Sequence, residues 1–163
     1  SSNGGEEPEQ QQVNPGEIRQ WANSAQASSE YSNPNWAAVQ AIGEPNVKIC
    51  SDNISAWASK TDNTVEWIEL SYPISVVPTV INIYQSYNPS QVVEVMLIAP
   101  NGQKVIAWNG YPESIKVCPD LMEITVEQDK KIAVNKIRIT VDQQVNGWGW
   151  NEIDAVELVG MLP

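Results

Sequence analysis

The sequence contains no histidine and no phenylalanine. Without histidine there is no imidazole base to activate a serine or cysteine nucleophile. The commonest side-chain ligand of zinc, copper and iron is also missing. Hard cations held by oxygen remain open. Basic residues are scarce: Lys and Arg number 9 against 20 Asp and Glu, a formal net charge of -11. A surface this acidic repels phosphate backbones and anionic lipid, so nucleic acid is not an expected partner. No apolar run approaches the roughly 18 residues that a membrane-spanning helix needs, so no membrane span is expected. Cysteine is limited to Cys50 and Cys118. With no third cysteine left over, the two are expected to form one structural disulfide in an oxidising compartment.

A length of 163 residues with 42% hydrophobic residues is enough for one domain with a real core. Residues 1–16 differ from the rest of the chain. They hold Ser, Gly, Glu, Gln, Asn and Pro, with Val13 the one large apolar side chain. That composition reads as a polar tail or linker, and the folded domain is expected over residues 17–163. It is also the composition of a spacer behind a lipidated cysteine, a residue not present here. The expected location is therefore extracellular, secreted or on the cell surface.

From Glu17 onward the period is 2. Val65–Leu70 and Thr79–Tyr84 read as two short strands, and Val92–Ile98 as a central strand buried on both faces. Asn101-Gly102 reads as a two-residue hairpin turn into Lys104–Trp108. Met122, Ile124 and Val126 alternate with polar residues, as do Ile137, Ile139 and Val141. In the last strand, Glu152–Val159, the apolar parity shifts between Ile153 and Val156, which predicts a β-bulge. Helix is almost absent: Trp36–Ile42 allows one or two turns between Asn33-Pro34 and Gly43. The sum is an all-β sandwich of about eight antiparallel strands joined by long connections.

Several segments occur in a telling order. Trp21-Ala-Asn-Ser-Ala-Gln-Ala-Ser-Ser29 is followed by Ala41-Ile-Gly-Glu-Pro-Asn46, then by Asp52-Asn53 and Ala56-Trp-Ala58. Pro78–Gln85 comes next, and the chain closes with Asn135–Val141 and Trp150–Gly160. In this order and spacing the chain resembles the galactose-binding-domain-like jelly rolls, the group of discoidin domains and many carbohydrate-binding modules. The resemblance implies a jelly-roll β-sandwich with a binding role and no catalysis. It also implies a structural calcium ion, held by the loop before the tryptophan and by a glutamate of the last strand. Those positions here are Asp52, Asn53, Ser55 and Glu152, and calcium does take carboxylate, amide and carbonyl oxygens together.

Seven tryptophans are many for this length. Trp21, Trp57 and Trp67 are expected in the core, and Trp150 at the end of the sandwich. Sugars bind by stacking a ring face on an indole or phenol while amides and carboxylates bond the hydroxyls. In the relatives, ligand loops gather at one end of the sandwich. On that model Tyr87, Asn88, Trp108, Tyr111 and Trp148 are the ligand-binding candidates. No pair of acids stands in an apolar loop as glycoside hydrolysis would need, so no enzyme is expected. Two functions remain. One is an extracellular, lectin-like adhesion domain that recognises a glycan or another cell-surface component. The other is a secreted structural subunit that self-associates into a filament, sheath or surface layer, with residues 1–16 reaching onto a neighbouring copy.

Overall fold

The structure, a computed structural model, describes residues 15–127 and 129–163. The alternating runs form eight antiparallel strands: β1 (Glu17–Trp21), β2 (Ser24–Ala27), β3 (Val65–Tyr87), β4 (Val92–Ile98), β5 (Lys104–Asn109), β6 (Asp120–Thr125), β7 (Val134–Asp142) and β8 (Glu152–Met161). The stretch expected to make helical turns gives a 3-10 turn over Ala38–Ala41, because Ala37 and Ile42 on either side are extended. Among the described residues no helix is long and apolar enough to cross a membrane. The expectations for residues 1–16, that they form a tail and reach a neighbouring copy, lie outside the described residues except for Pro15 and Gly16.

The two short strands expected at Val65–Leu70 and Thr79–Tyr84 are one 23-residue strand, β3. Its first part pairs with β2 and β7, its second with β8 and β6. Pairing with β7 slips between Ser71 and Val76, and pairing with β8 slips between Pro78 and Val80. Pro73 and Pro78 lie in this stretch. Proline has no N–H for a ladder, so the strand changes partners there instead of ending. β3 thereby joins two layers: β1, β8, β3 and β6 on one side, and β2, β3, β7, β4 and β5 on the other. Ile81, Ile83, Val156 and Leu158 of the first layer meet Ile68, Leu70, Val95, Leu97, Ile137 and Ile139 of the second in one buried cluster that includes Trp57.

Inward parity decides which tryptophans enter this core. Ile68 and Leu70 take the inward positions of β3, so Trp67 faces out, half-buried under the Arg138 guanidinium 4.1 Å from its ring. Trp21 is likewise half-buried and lies against Tyr84, ring centroids 5.8 Å apart. Neither is the core residue expected, whereas Trp57 is wholly buried.

The β4–β5 connection is also longer than the two residues expected. Gly102 N–H donates to Ala99 O and Ala99 N–H to Gln103 O, both at 2.9 Å, so Pro100, Asn101 and Gly102 form the loop. A two-residue Asn-Gly turn needs positive φ at both positions, and only Gly102 has it, at 88°. The parity shift in the last strand is a bulge, as expected. Tyr84 faces Ala155 and Gln85 faces Ile153, which leaves Asp154 without a partner on β3.

Cys50 and Cys118 are bonded, S–S 2.09 Å, across a sequence separation of 68. A cross-link of this span acts mainly by restricting the unfolded chain. Replacing both cysteines by serine is expected to cost about 2–5 kcal/mol in urea denaturation. A loss below about 0.5 kcal/mol, the scale of an ordinary surface substitution, would show that the bridge does not constrain the fold.

Candidate functional site

β8 carries three acids, Glu152, Asp154 and Glu157, and all three are buried. A buried carboxylate is costly unless donors meet it. Glu157 Oε1 accepts from Arg19 Nη2 at 2.8 Å and from Asn82 Nδ2 at 2.9 Å. Asp154 Oδ2 accepts the backbone N–H groups of Asn46 and Val47 at 3.0 and 2.9 Å. Glu152 Oε1 accepts the Asn53 N–H at 3.0 Å. The last strand thus draws the segment 46–53 down onto itself. Trp57 exchanges backbone bonds with Ile153 just beyond, at 2.9 and 3.1 Å.

This arrangement sets Asp52 beside Glu152 in a cavity of about 80 Å³, with Tyr31, Trp36, Ala58 and Trp150 as its other walls. Burial, together with a hydrogen bond to Asp52, pushes the Glu152 carboxyl up to about 9, against the opposing pull of the Asn53 N–H. Asp52 Oδ1 accepts the Trp36 indole N–H at 2.9 Å. Among the described residues no Lys or Arg forms an ion pair with either carboxylate. The Tyr31 ring stands edge-on to Trp36, centroids 5.1 Å apart at 77°, and to Trp150, 5.5 Å apart at 85°. Trp150 is fixed by its Nε1–H on Ser59 O at 3.0 Å. Trp36 is placed by a left-handed backbone, φ 55°, rare for a bulky residue. Sequence reasoning did not single out Tyr31 and Trp36 as site residues.

Of the four residues implied for calcium, the structure brings Asp52 and Glu152 together at this cavity. Asn53 lies close through its backbone, but its Oδ1 turns back to accept the Ser55 N–H at 2.9 Å. Calcium takes roughly six to eight oxygens. The side chains at the cavity supply two carboxylates, and among the described residues no group of three or more Asp, Glu, His or Cys gathers. These side chains do not by themselves complete a calcium shell.

The five ligand candidates divide between two adjoining clefts that share Ile115. Trp108 and Tyr111 line a cleft of about 340 Å³ with Ser90, Glu113 and Asp120. Burial raises the Asp120 carboxyl there. Trp108 is half-buried against the core and Tyr111 is 89% exposed. Asn88 and Trp148 line the second cleft, of about 210 Å³, with Pro89, Lys116 and the disulfide. Asn88 donates both its amide bonds to main chain, to Trp148 O at 3.0 Å and Trp150 O at 2.9 Å. It therefore braces the loop it was expected to share with a ligand. Tyr87 ends β3 opposite Glu152 and lines neither cleft.

The raised Glu152 carboxyl fixes a pH dependence. Folding raises this group from an ordinary 4.5 to about 9, so the folded state holds a proton that the unfolded state has released. The associated stability is complete below about pH 4.5 and is lost as pH climbs through about 9. In chelator, the melting temperature is expected to fall between about pH 5 and 9. Glu152→Gln, which mimics the protonated acid, is expected to flatten that fall. Thermal melts of both proteins across this range check it, and equal slopes would contradict the assignment.

Comparison with known proteins agrees with this architecture. No curated protein matches the sequence. Among solved structures, chitosan-binding module 1 of a chitosanase/glucanase from Paenibacillus sp. IK-5 superposes with TM-score 0.63 at 12% identity, covering 84% of this chain and 94% of that one. The family 32 carbohydrate-binding module of C. perfringens NanJ, solved with galactose, gives TM-score 0.63 at 21% identity, covering 87% and 99%. The lectin domain of lectinolysin, solved with Lewis B antigen, gives 0.60 at 13%, covering 83% and 90%. At these identities the likeness is one of fold: a β-sandwich of the kind found in carbohydrate-binding modules. A family model reaches further in sequence, matching residues 10–162, and on that match the chain belongs to the family described as PAPPA, Pappalysin-1, SD scarf domain, C-terminal.

Proposed function

We propose that this chain is an extracellular, non-catalytic domain that binds a glycan along the two adjoining clefts. The observation that carries this reading is Trp148, which is 40% exposed on a loop braced from beneath. Asn88 holds the carbonyls of Trp148 and Trp150. Gln91 Nε2 donates to Asn88 O and Gly149 O, both at 2.9 Å. A stacking platform that is already rigid loses little conformational entropy when a sugar settles on it. Tyr111 supplies a second exposed ring, and Glu113 and Ser90 line the cleft beside it. Modules of the same fold solved with galactose and with Lewis B antigen support the class of ligand. Persistence of a disulfide supports a location outside the cytosol. The absence of histidine removes the usual nucleophile activation and supports a binding role.

Screening the intact chain on a glycan array, followed by calorimetric titration of the best sugar, tests the proposal. Trp148→Ala is expected to weaken that sugar at least about tenfold, a loss of about 1.4 kcal/mol, and Tyr111→Ala to weaken it further for longer oligomers. Binding that survives both substitutions, or an array with no response, would contradict it.

A further inference from the structure

The cavity between Tyr31 and the start of β8 has a composition that the glycan reading does not use. We infer that it is a seat for an organic ammonium group, with Tyr31, Trp36 and Trp150 as its walls and Asp52 and Glu152 as its acidic floor. Aromatic faces attract cations through the ring quadrupole, most strongly where water is excluded. Two of the walls are indoles, and their N–H edges are already spent on Asp52 Oδ1 and Ser59 O. Tyr31 stands nearly perpendicular to both. The three rings are held as a box before any ligand arrives.

The floor supplies the charge. Glu152 is 1% exposed and opens onto the cavity, and no Lys or Arg among the described residues pairs with it or with Asp52. Glu152 keeps its proton and hydrogen-bonds Asp52, so the pair carries one negative charge that no basic side chain among the described residues balances. The walls then select its kind. A bare divalent ion needs oxygens, and three of the six residues that line this cavity are aromatic. An ammonium group accepts both, since its charge meets the single negative charge of the acid pair while its methyl or methylene groups pack on the rings. Size points the same way. At about 80 Å³, the cavity is smaller than the roughly 150 Å³ that holds a benzene ring. It admits a head group of a few heavy atoms and leaves a sugar ring outside. Tyr31, 51% exposed, forms part of the rim over which the rest of the ligand would leave.

Two sources share this chemistry: a methylated nitrogen, as in choline or trimethyllysine, and the protonated primary amine of a deacetylated amino sugar. Titration calorimetry of the intact chain with choline, with a glucosamine oligomer, with an N-acetylglucosamine oligomer and with calcium separates them. Saturable binding of choline alone identifies a methylated nitrogen. Binding of the glucosamine oligomer, with or without choline, identifies the primary amine. In either case Tyr31→Ala and Trp36→Ala are expected to weaken the cation at least about tenfold, Asp52→Asn to weaken it, and Tyr31→Phe to restore it. The N-acetylated oligomer carries no charge and is not expected to compete. If Trp36→Ala fails to fold, the exposed Tyr31→Ala decides alone. The inference is overturned if neither cation binds, if binding is unchanged in Tyr31→Ala, or if calcium saturates the same carboxylates and displaces the organic cation. It stands apart from the glycan reading, because Trp148→Ala removes a sugar platform and leaves this box intact.

Discussion

Three carboxylates buried on the last strand dictate how the rest of the chain lies over the sandwich. Glu157 holds β1 through Arg19 and the neighbouring β3 through Asn82. Asp154 holds Asn46 and Val47, and Glu152 holds Asn53. Each needs donors brought from elsewhere, because a buried acid left without them costs several kcal/mol. The bulge matters here. By adding one residue it frees Asp154 from the pairing with β3, and the Asp154 carboxylate accepts from the covering loop. The acids are therefore less a charge feature of the strand than a set of anchor points for backbone.

Both candidate surfaces hang from that anchoring. Once residues 46–53 are held down, Cys50 meets Cys118, and the bridge becomes a wall of the cleft beside Trp148. Asp52 is carried to the floor of the aromatic box by the same segment. On the other side of the box, side-chain amides do the comparable work. Gln143 Nε2 donates to Ser59 Oγ and Thr61 O, and Gln143 Oε1 accepts the Asn151 N–H. Asn151 Nδ2 bonds Gln85 Oε1. Side-chain amides fix the loops that present Trp148 and Trp150, while the acids of β8 fix the loop that faces them. On the outer face of β3, Glu69 shows the contrast. Burial alone would raise it, but Arg138, Gln26 and Lys136 together hold it low. Among the acids described, Glu152 stands out as one whose main side-chain neighbour is another acid.

The strands were legible in the sequence because inward and outward residues alternate, and the bulge showed as a break in that alternation. What stayed hidden depended on partners far along the chain. Pro73 and Pro78 look like strand breakers, yet β3 runs through them because it exchanges one layer for the other at that point. Trp67 looks like core until Ile68 and Leu70 claim the inward parity. The pairing of Asp52 with Glu152 could be read from family resemblance, since about a hundred positions separate them and no local pattern links the two. The walls of their cavity could not. Trp36 reaches it through a left-handed backbone that nothing in the surrounding sequence demands. The loop aromatics had the right chemistry, but whether a ring faces solvent depends on contacts such as those of Asn88, which turned out to be a brace.

If the β8 acids hold the covering loop, the loop's amides should behave as part of the sandwich. Native-state hydrogen exchange of the Asn46, Val47 and Asn53 amides is the most direct measurement. Protection close to that of the β3–β8 ladder, lost at Asn46 and Val47 in Asp154→Ala, is the predicted result. Exchange as fast as in an open loop in the unmodified protein would contradict it.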